Sequence, residues 1–173
     1  MNWAGLLIEI GDKLYLYARQ LCHNDADAAD IVQEAFLRVW RAHGRERVAE
    51  ADIVPTCYAA VRYAALDHRR RTARRQAREL KAGACLYDET PIFEPAIKPD
   101  EEMAGIEAAI RELPTEQREA LTLKIWGELT FQQIATVTDE SPNTVASRYR
   151  LALAALRRKL AKGVLVCYDL SKA

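Results

Sequence analysis

The 173-residue sequence predicts an all-α protein made of two small helical domains joined by a flexible linker. Three observations carry that expectation. Apolar residues recur at three- and four-residue steps in both halves of the chain, the mark of buried helix faces. Charge comes in blocks: residues 69–81 hold seven basic side chains and one acid, residues 88–107 seven acids against Lys98, and residues 129–162 six basic against two acidic. Gly83, Pro91, Pro95 and Pro99 punctuate the acidic block, which has no helical period and reads as a linker. The expected divisions are a helical domain over 1–81, the linker over 82–103 and a second helical domain over 104–173. Each domain is near the lower size for independent folding.

The first domain opens with a helix over about Trp3–Leu21. A second helix follows, in which Ala28, Ile31, Val32, Ala35, Phe36, Val39 and Trp40 form the inward stripe. Its opposite face carries Asp27, Asp30, Gln33, Glu34, Arg38 and Arg41. A polar loop begins at Gly44 and runs to about Asp52. Pro55 suits the first turn of a third helix, which runs to about Leu80 and passes from Val61, Ala64, Ala65 and Leu66 into the arginine cluster. In the second domain Ile106, Ala109, Ile110 and Leu113 share a face. Pro114 starts the next helix, with Ala120, Leu121, Leu123, Ile125 and Trp126 as its core.

Residues 130–159 then read as two helices joined by a tight turn. Thr130-x-x-Gln133 is a capping box, in which each side chain satisfies a backbone N–H at the helix start. Phe131, Ile134, Ala135 and Val137 face inward; Asp139 and Glu140 interrupt; Ser141 is a good N-cap and Pro142 a good first helical residue. Val145, Tyr149, Ala152 and Leu156 continue the inward stripe. Asn143, Thr144, Ser147, Arg148 and Arg150 are expected to face outward. That is the layout of a helix-turn-helix, whose second helix carries base-edge and phosphate contacts.

Several function classes are set aside. A formal net charge of zero argues against a protein that coats nucleic acid on charge alone. No apolar run approaches transmembrane length, and MNWAGLLIEIGDKLYLYA lacks a basic lead and a cleavage site, so a cytoplasmic chain without membrane insertion is expected. Cys22, Cys57, Cys85 and Cys167 show no C-x-x-C pairing, and Cys22-His23 is an isolated pair. Neither a disulfide framework, a metal site nor another cofactor is expected. Without a nucleophile–base pair or a phosphate-cradling glycine loop, no catalytic residues are assigned.

With both domains placed, the chain resembles a bacterial sigma factor of the extracytoplasmic-function (ECF) type, a family of two helical domains called regions 2 and 4. Four segments carry the resemblance. Asp27-Ala-Ala-Asp30-Ile-Val-Gln33-Glu34-Ala-Phe36-Leu-Arg38-Val-Trp40 is similar to the region 2 helix that docks on the polymerase clamp. Arg62-Tyr-Ala-Ala-Leu66-Asp67-His68-Arg69-Arg70 is similar to the helix that handles the −10 promoter element. Leu113-Pro114-Thr-Glu116-Gln117-Arg118-Glu119-Ala-Leu121 resembles the entry to region 4. Thr144-Val145-x-Ser147-Arg148 matches the reading edge of the helix-turn-helix.

The resemblance implies a protein that binds core RNA polymerase and directs it to a promoter class, leaving the chemistry to the polymerase. It implies polymerase contacts at Asp30, Gln33, Glu34 and Arg38. It implies −10 contacts at Tyr63, Asp67, His68, Arg69 and Arg70, with the 44–52 loop near a flipped base. It implies −35 contacts at Asn143, Thr144, Ser147, Arg148 and Arg150, where Arg148 or Arg150 would pair with guanine. An anti-sigma partner is a further implication.

The sequence also departs from the family pattern. Thr56-Cys57 replaces a Trp-Leu pair, Tyr63 an asparagine, and Asp139 the turn glycine, with Thr138 and Glu140 where apolar neighbours are usual. Ala146, Leu151 and Leu153 stand where basic residues are common, which lowers phosphate affinity. Leu151 and Leu153 are expected close to the polar face, and the apolar tail GVLVCYDLSKA to pack on region 4. Two other readings are a stand-alone helix-turn-helix regulator and a sigma-like interaction module that has lost promoter recognition.

Overall fold

A computed structural model describes residues 2–22, 24–44, 50–79 and 101–170. They form α1 (Trp3–Cys22), α2 (Asp25–His43), α3 (Glu50–Glu79), α4 (Glu101–Arg111), α5 (Thr115–Ile125), α6 (Phe131–Thr138) and α7 (Pro142–Leu170), with no strand among the described residues. Two compact units result: α1–α3 form the first, and α4, α5, α7 and the start of α6 belong to the second. The expected linker lies outside the described residues except for 101–103, which open α4.

In the first unit each helix supplies one buried stripe. Leu6, Ile10, Leu14 and Tyr17 of α1 pack with Ala28, Ile31, Ala35 and Val39 of α2 and Ile53, Tyr58, Val61 and Ala65 of α3. The Tyr17 and Tyr58 rings meet edge-on at 5.6 Å, and Trp3 meets Phe36 at 5.9 Å, both favoured by the ring quadrupoles. The α1–α2 turn is fixed by polar groups. Asn24 Oδ1 accepts from the N–H groups of Ala26 and Asp27 at 2.9 and 3.3 Å, capping α2. The Asp25 carboxylate accepts from the Tyr15 hydroxyl and pairs with the guanidinium of Arg19, which is 5% exposed. A cation this deeply buried needs such a partner.

Helix α3 begins at Glu50, so the polar loop ends earlier than the expected Asp52, and Pro55 sits inside the helix rather than in its first turn. An interior proline costs about 3 kcal/mol, because it cannot donate to the preceding turn. Burial of Ile53, Pro55, Cys57 and Tyr58 against the other two helices offsets that cost. Thr56 Oγ1 donates to the Asp52 carbonyl at 2.9 Å beside it. Burial pushes the Cys57 thiol up to about 11, so it behaves as a small inert core residue.

In the second unit Ile110, Leu113, Leu121 and Ala152 form one cluster of the core, flanked by Trp126, Tyr149, Leu153, Ala155 and Leu156. Leu153 therefore packs inward, unlike the expectation that put it close to the polar face. Pro114 is the N-cap of α5 rather than its first residue. Ile106, expected on the shared apolar face, and Ile125, expected in the core, are both exposed. Between α5 and α6 a side chain at Gly127 would meet the Leu123 carbonyl oxygen at 2.6 Å, so this tight return requires glycine. Lys124 Nζ spans the return, donating to the Leu129 carbonyl at 3.0 Å and lying 5.2 Å from the centre of the Phe131 ring.

The helix-turn-helix forms as its caps dictate. Thr130 Oγ1 accepts from the Gln133 N–H at 3.2 Å, and Gln133 Oε1 accepts from the Thr130 N–H at 2.8 Å. Asp139 ends α6 in the left-handed region at φ 59°, ψ 48°, and the next N–H, from Glu140, donates to the Ala135 carbonyl at 3.0 Å. Asp139→Gly is expected to hold or raise stability by up to about 1 kcal/mol, whereas Asp139→Val should lose about 1–2 kcal/mol. Urea unfolding of the two variants measures the difference. The chain continues as helix to Leu170, but the side chains of the apolar tail, and with them its expected packing, lie outside what is described.

Candidate functional site

Three exposed helix faces hold the residues expected to carry function. On α2, Asp30, Gln33, Glu34 and Arg38 are all exposed, because the buried stripe occupies the opposite side. Glu34 and Arg38 pair at 2.8 Å across one turn, both more than half exposed, so their attraction adds little stability and either remains available to a partner. The same face holds Leu37 and Trp40. Trp40 is 47% exposed rather than the core residue the periodicity predicts. One helical step places it at the edge of the buried stripe, beside Arg41 and Leu37. The result is an amide-bearing surface of mixed charge with an aromatic anchor.

On α3, Tyr63, Asp67 and Arg70 lie along one stripe at three- and four-residue spacing, with Arg74 next in line and all four exposed. Asp67 pairs with Arg71 at 2.6 Å, which neutralises the acid within an otherwise cationic surface. Arg69 is exposed on the flank. His68 is different: it is half-buried on the side facing α2, where Nε2 lies 3.5 Å from Asp27 Oδ1. The structure thus brings Tyr63 and Arg70 together and turns His68 toward the other helix. The loop residues 45–49 lie outside the described residues.

On α7, Asn143, Ser147 and Arg150 form an exposed stripe with Leu151, Ala154 and Arg158. Leu151, 54% exposed, occupies the middle of this face. Thr144 serves the cap: its N–H donates to Ser141 Oγ at 3.1 Å, and the two hydroxyls lie 2.8 Å apart. Arg148, expected to face outward, is drawn aside. Its guanidinium pairs with the carboxylate of Glu140 in the turn, with the two side chains 28% and 25% exposed. Among the described residues no group of three or more His, Cys, Asp or Glu side chains is placed to hold a metal ion. Nor is any helix there long and apolar enough to cross a membrane.

The sigma-70 region 2 family model matches residues 7–75, and the sigma-70 region 4 model matches residues 104–156. Together they span more than half of the chain, in order, with the three faces above inside them except for Arg158. The chain belongs to the sigma-70 family. Among relatives of this sigma-70 chain, the RNA polymerase sigma-H factor of Pseudomonas aeruginosa is 29% identical over 165 residues, covering 90% of this chain and 84% of the relative. The ECF RNA polymerase sigma factor SigE of Mycolicibacterium smegmatis is 29% identical over 165 residues; the match covers 93% of this chain but 62% of SigE. Two solved structures share the fold. The sigma factor RpoE of Bartonella quintana, in complex with the anti-sigma factor NepR, has a TM-score of 0.67 at 19% identity, covering 92% of this chain and 97% of RpoE. CnrH in complex with the cytosolic domain of CnrY has a TM-score of 0.56 at 22% identity, covering 92% and 88%.

Four residues of the sigma-70 faces escaped the assignments made from sequence. Trp40 follows the apolar periodicity and so reads as core, although it is exposed, and Leu37 falls outside both the inward stripe and the polar face read from the sequence. Glu140 reads as a turn residue; only the folded turn shows it against Arg148. Leu151 was expected close to the polar face, and the structure sets it at the centre. Its signal was the neighbourhood: Ser147 lies one turn back on the same side, and Arg150 directly precedes it.

Proposed function

We propose that this chain is an alternative sigma factor of the ECF type, a regulator rather than an enzyme, that binds core RNA polymerase and directs initiation at a dedicated promoter class. The ordered match of region 2 and region 4 carries this reading. The exposed α2 face of Asp30, Gln33, Glu34 and Arg38, with Leu37 and Trp40, takes the polymerase. Tyr63 stacks on an unpaired base of the −10 element while Arg69 and Arg70 follow its phosphates. The α7 face takes the −35 duplex in its major groove. Such a protein works in the cytoplasm with the polymerase. An anti-sigma partner, by likeness to RpoE with NepR, covers the same faces in the resting state. The two domains fall at 1–81 and 104–173.

Reconstitution with core polymerase on a genomic promoter library is expected to give specific start sites, and absence of core binding would sink the proposal. A stand-alone helix-turn-helix regulator would instead shift promoter DNA without polymerase and ignore Glu34→Lys with Arg38→Glu. The exposed Leu151, in place of a cation, favours a second reading as an interaction module without promoter recognition. Sequence-specific transcription in vitro excludes it. Arg70→Ala should also reduce the slope of log affinity against log salt by about 0.7–0.9, the loss of one phosphate contact. Titrating open-complex formation from low to moderate salt reads that slope.

A further inference from the structure

The two arginines that sequence alone leaves equivalent at the −35 face occupy different places. Arg150 stands on the exposed stripe with Asn143 and Ser147, its guanidinium making, among the described residues, a weak contact of Nε with the Ala146 carbonyl at 3.3 Å. Arg148 lies on the flank, three residues after the buried Val145 and four before the buried Ala152. There it pairs with Glu140, eight residues back and on the far side of the turn. Both partners are about three-quarters withdrawn from solvent, so the attraction is screened less than that of a surface pair. Breaking it would leave one charge poorly solvated. Glu140 also adjoins Asp139, whose left-handed backbone makes the turn. The pair therefore joins the strained corner of the motif to the flank of its reading helix.

We infer that Glu140 and Arg148 form a clasp that sets the angle of α7 against the turn, and that Arg150 is the arginine that reads a −35 base. Arg148 is then a positioning residue. Its second service is electrostatic: it neutralises a carboxylate that would otherwise lie near the phosphates approaching α7. Arg150, long and exposed, supplies the planar donor pair that matches guanine O6 and N7 in the major groove. This assignment rests on the sigma-factor reading, since it presupposes that α7 meets duplex DNA.

The test uses the full chain, alone for stability and assembled with core polymerase for binding to −35 duplex libraries. Arg148→Ala is expected to lower the melting midpoint by about 4–8 °C. It should also weaken −35 binding about tenfold without changing the selected sequence. Adding Glu140→Ala to that variant should restore affinity to within about threefold of the parent, because the stranded carboxylate is gone. Arg150→Ala should leave the midpoint unchanged and abolish preference at one base pair. A double variant as weak as Arg148→Ala, or one that loses a base preference, overturns the assignment. If no holoenzyme selects any −35 sequence, the sigma-factor reading fails and the base-reading role of Arg150 falls with it. The clasp is still decided by melting: additive effects of Glu140→Ala and Arg148→Ala would overturn it too.

Discussion

Trp40→Ala is expected to weaken binding to core RNA polymerase at least thirtyfold while the free chain remains folded. The side chain stands 47% exposed on α2 beside Leu37 and Arg41, with Glu34 and Arg38 farther along the same exposed face. Truncating a buried interface tryptophan costs about 2 kcal/mol or more, which converts to that factor. In the free protein half of the ring already meets water, so the unfolding free energy should change by no more than about 1 kcal/mol. Equilibrium binding to core enzyme and urea unfolding of the free chain separate the two effects. Unchanged affinity with an intact fold would remove α2 from the polymerase contact. Glu34→Lys offers an independent check through charge: it breaks the pair with Arg38 and reverses the sign at the same place. A loss of affinity there, again without loss of stability, points to a basic partner surface.

Leu121→Ala is expected to have the largest effect on stability. Leu121 is fully buried at the centre of the second unit, against Ile110, Leu113 and Ala152 with Trp126, Tyr149 and Leu156 around them. Removing a core leucine side chain costs about 2–5 kcal/mol, the transfer term plus the cavity left behind. A whole domain commonly has only about 5–15 kcal/mol in hand, and this unit is small. Far-ultraviolet circular dichroism against urea should show a transition at lower denaturant. Leu121→Met, which keeps the volume, should cost less than about 1.5 kcal/mol. An equal loss from both variants would mean that packing at Leu121 does not hold the unit together.

Local chemistry made much of this fold readable. The Thr130–Gln133 capping box, the left-handed Asp139 and the Ser141-Pro142 start of α7 all depend on neighbours within a few residues, so the sequence states them almost directly. The same holds for the deep stripe Ala28, Ile31, Ala35 and Val39, whose spacing leaves one solution. Residues at the edge of a stripe are another matter. Trp40 and Ile125 fit the helical period, yet a rotation of one step carries each from core to solvent, and only the neighbouring helices decide which. Pro55 misled for a related reason: its local cost argues for a helix start, whereas burial of Ile53 and Pro55 draws the helix back another turn. Arg148 needed a partner across a turn. Charge in a sequence carries no direction, so its pairing with Glu140 emerged only from the folded motif.

Placement of the three tryptophans has a practical consequence. Trp3 packs edge-on against Phe36, Trp40 stands at the α2 surface, and Trp126 closes α5 against the core of the second unit. The protein thus carries its own fluorescent reporters, one in a wet setting and one in a largely dry setting. Replacing Trp3 with phenylalanine leaves two emitters of different colour. Docking of polymerase or of an anti-sigma partner on α2 should shift the red-edge emission of Trp40 toward the blue. Melting of the second unit should move Trp126 the other way. A single spectrum can then separate engagement at one end of the chain from unfolding at the other.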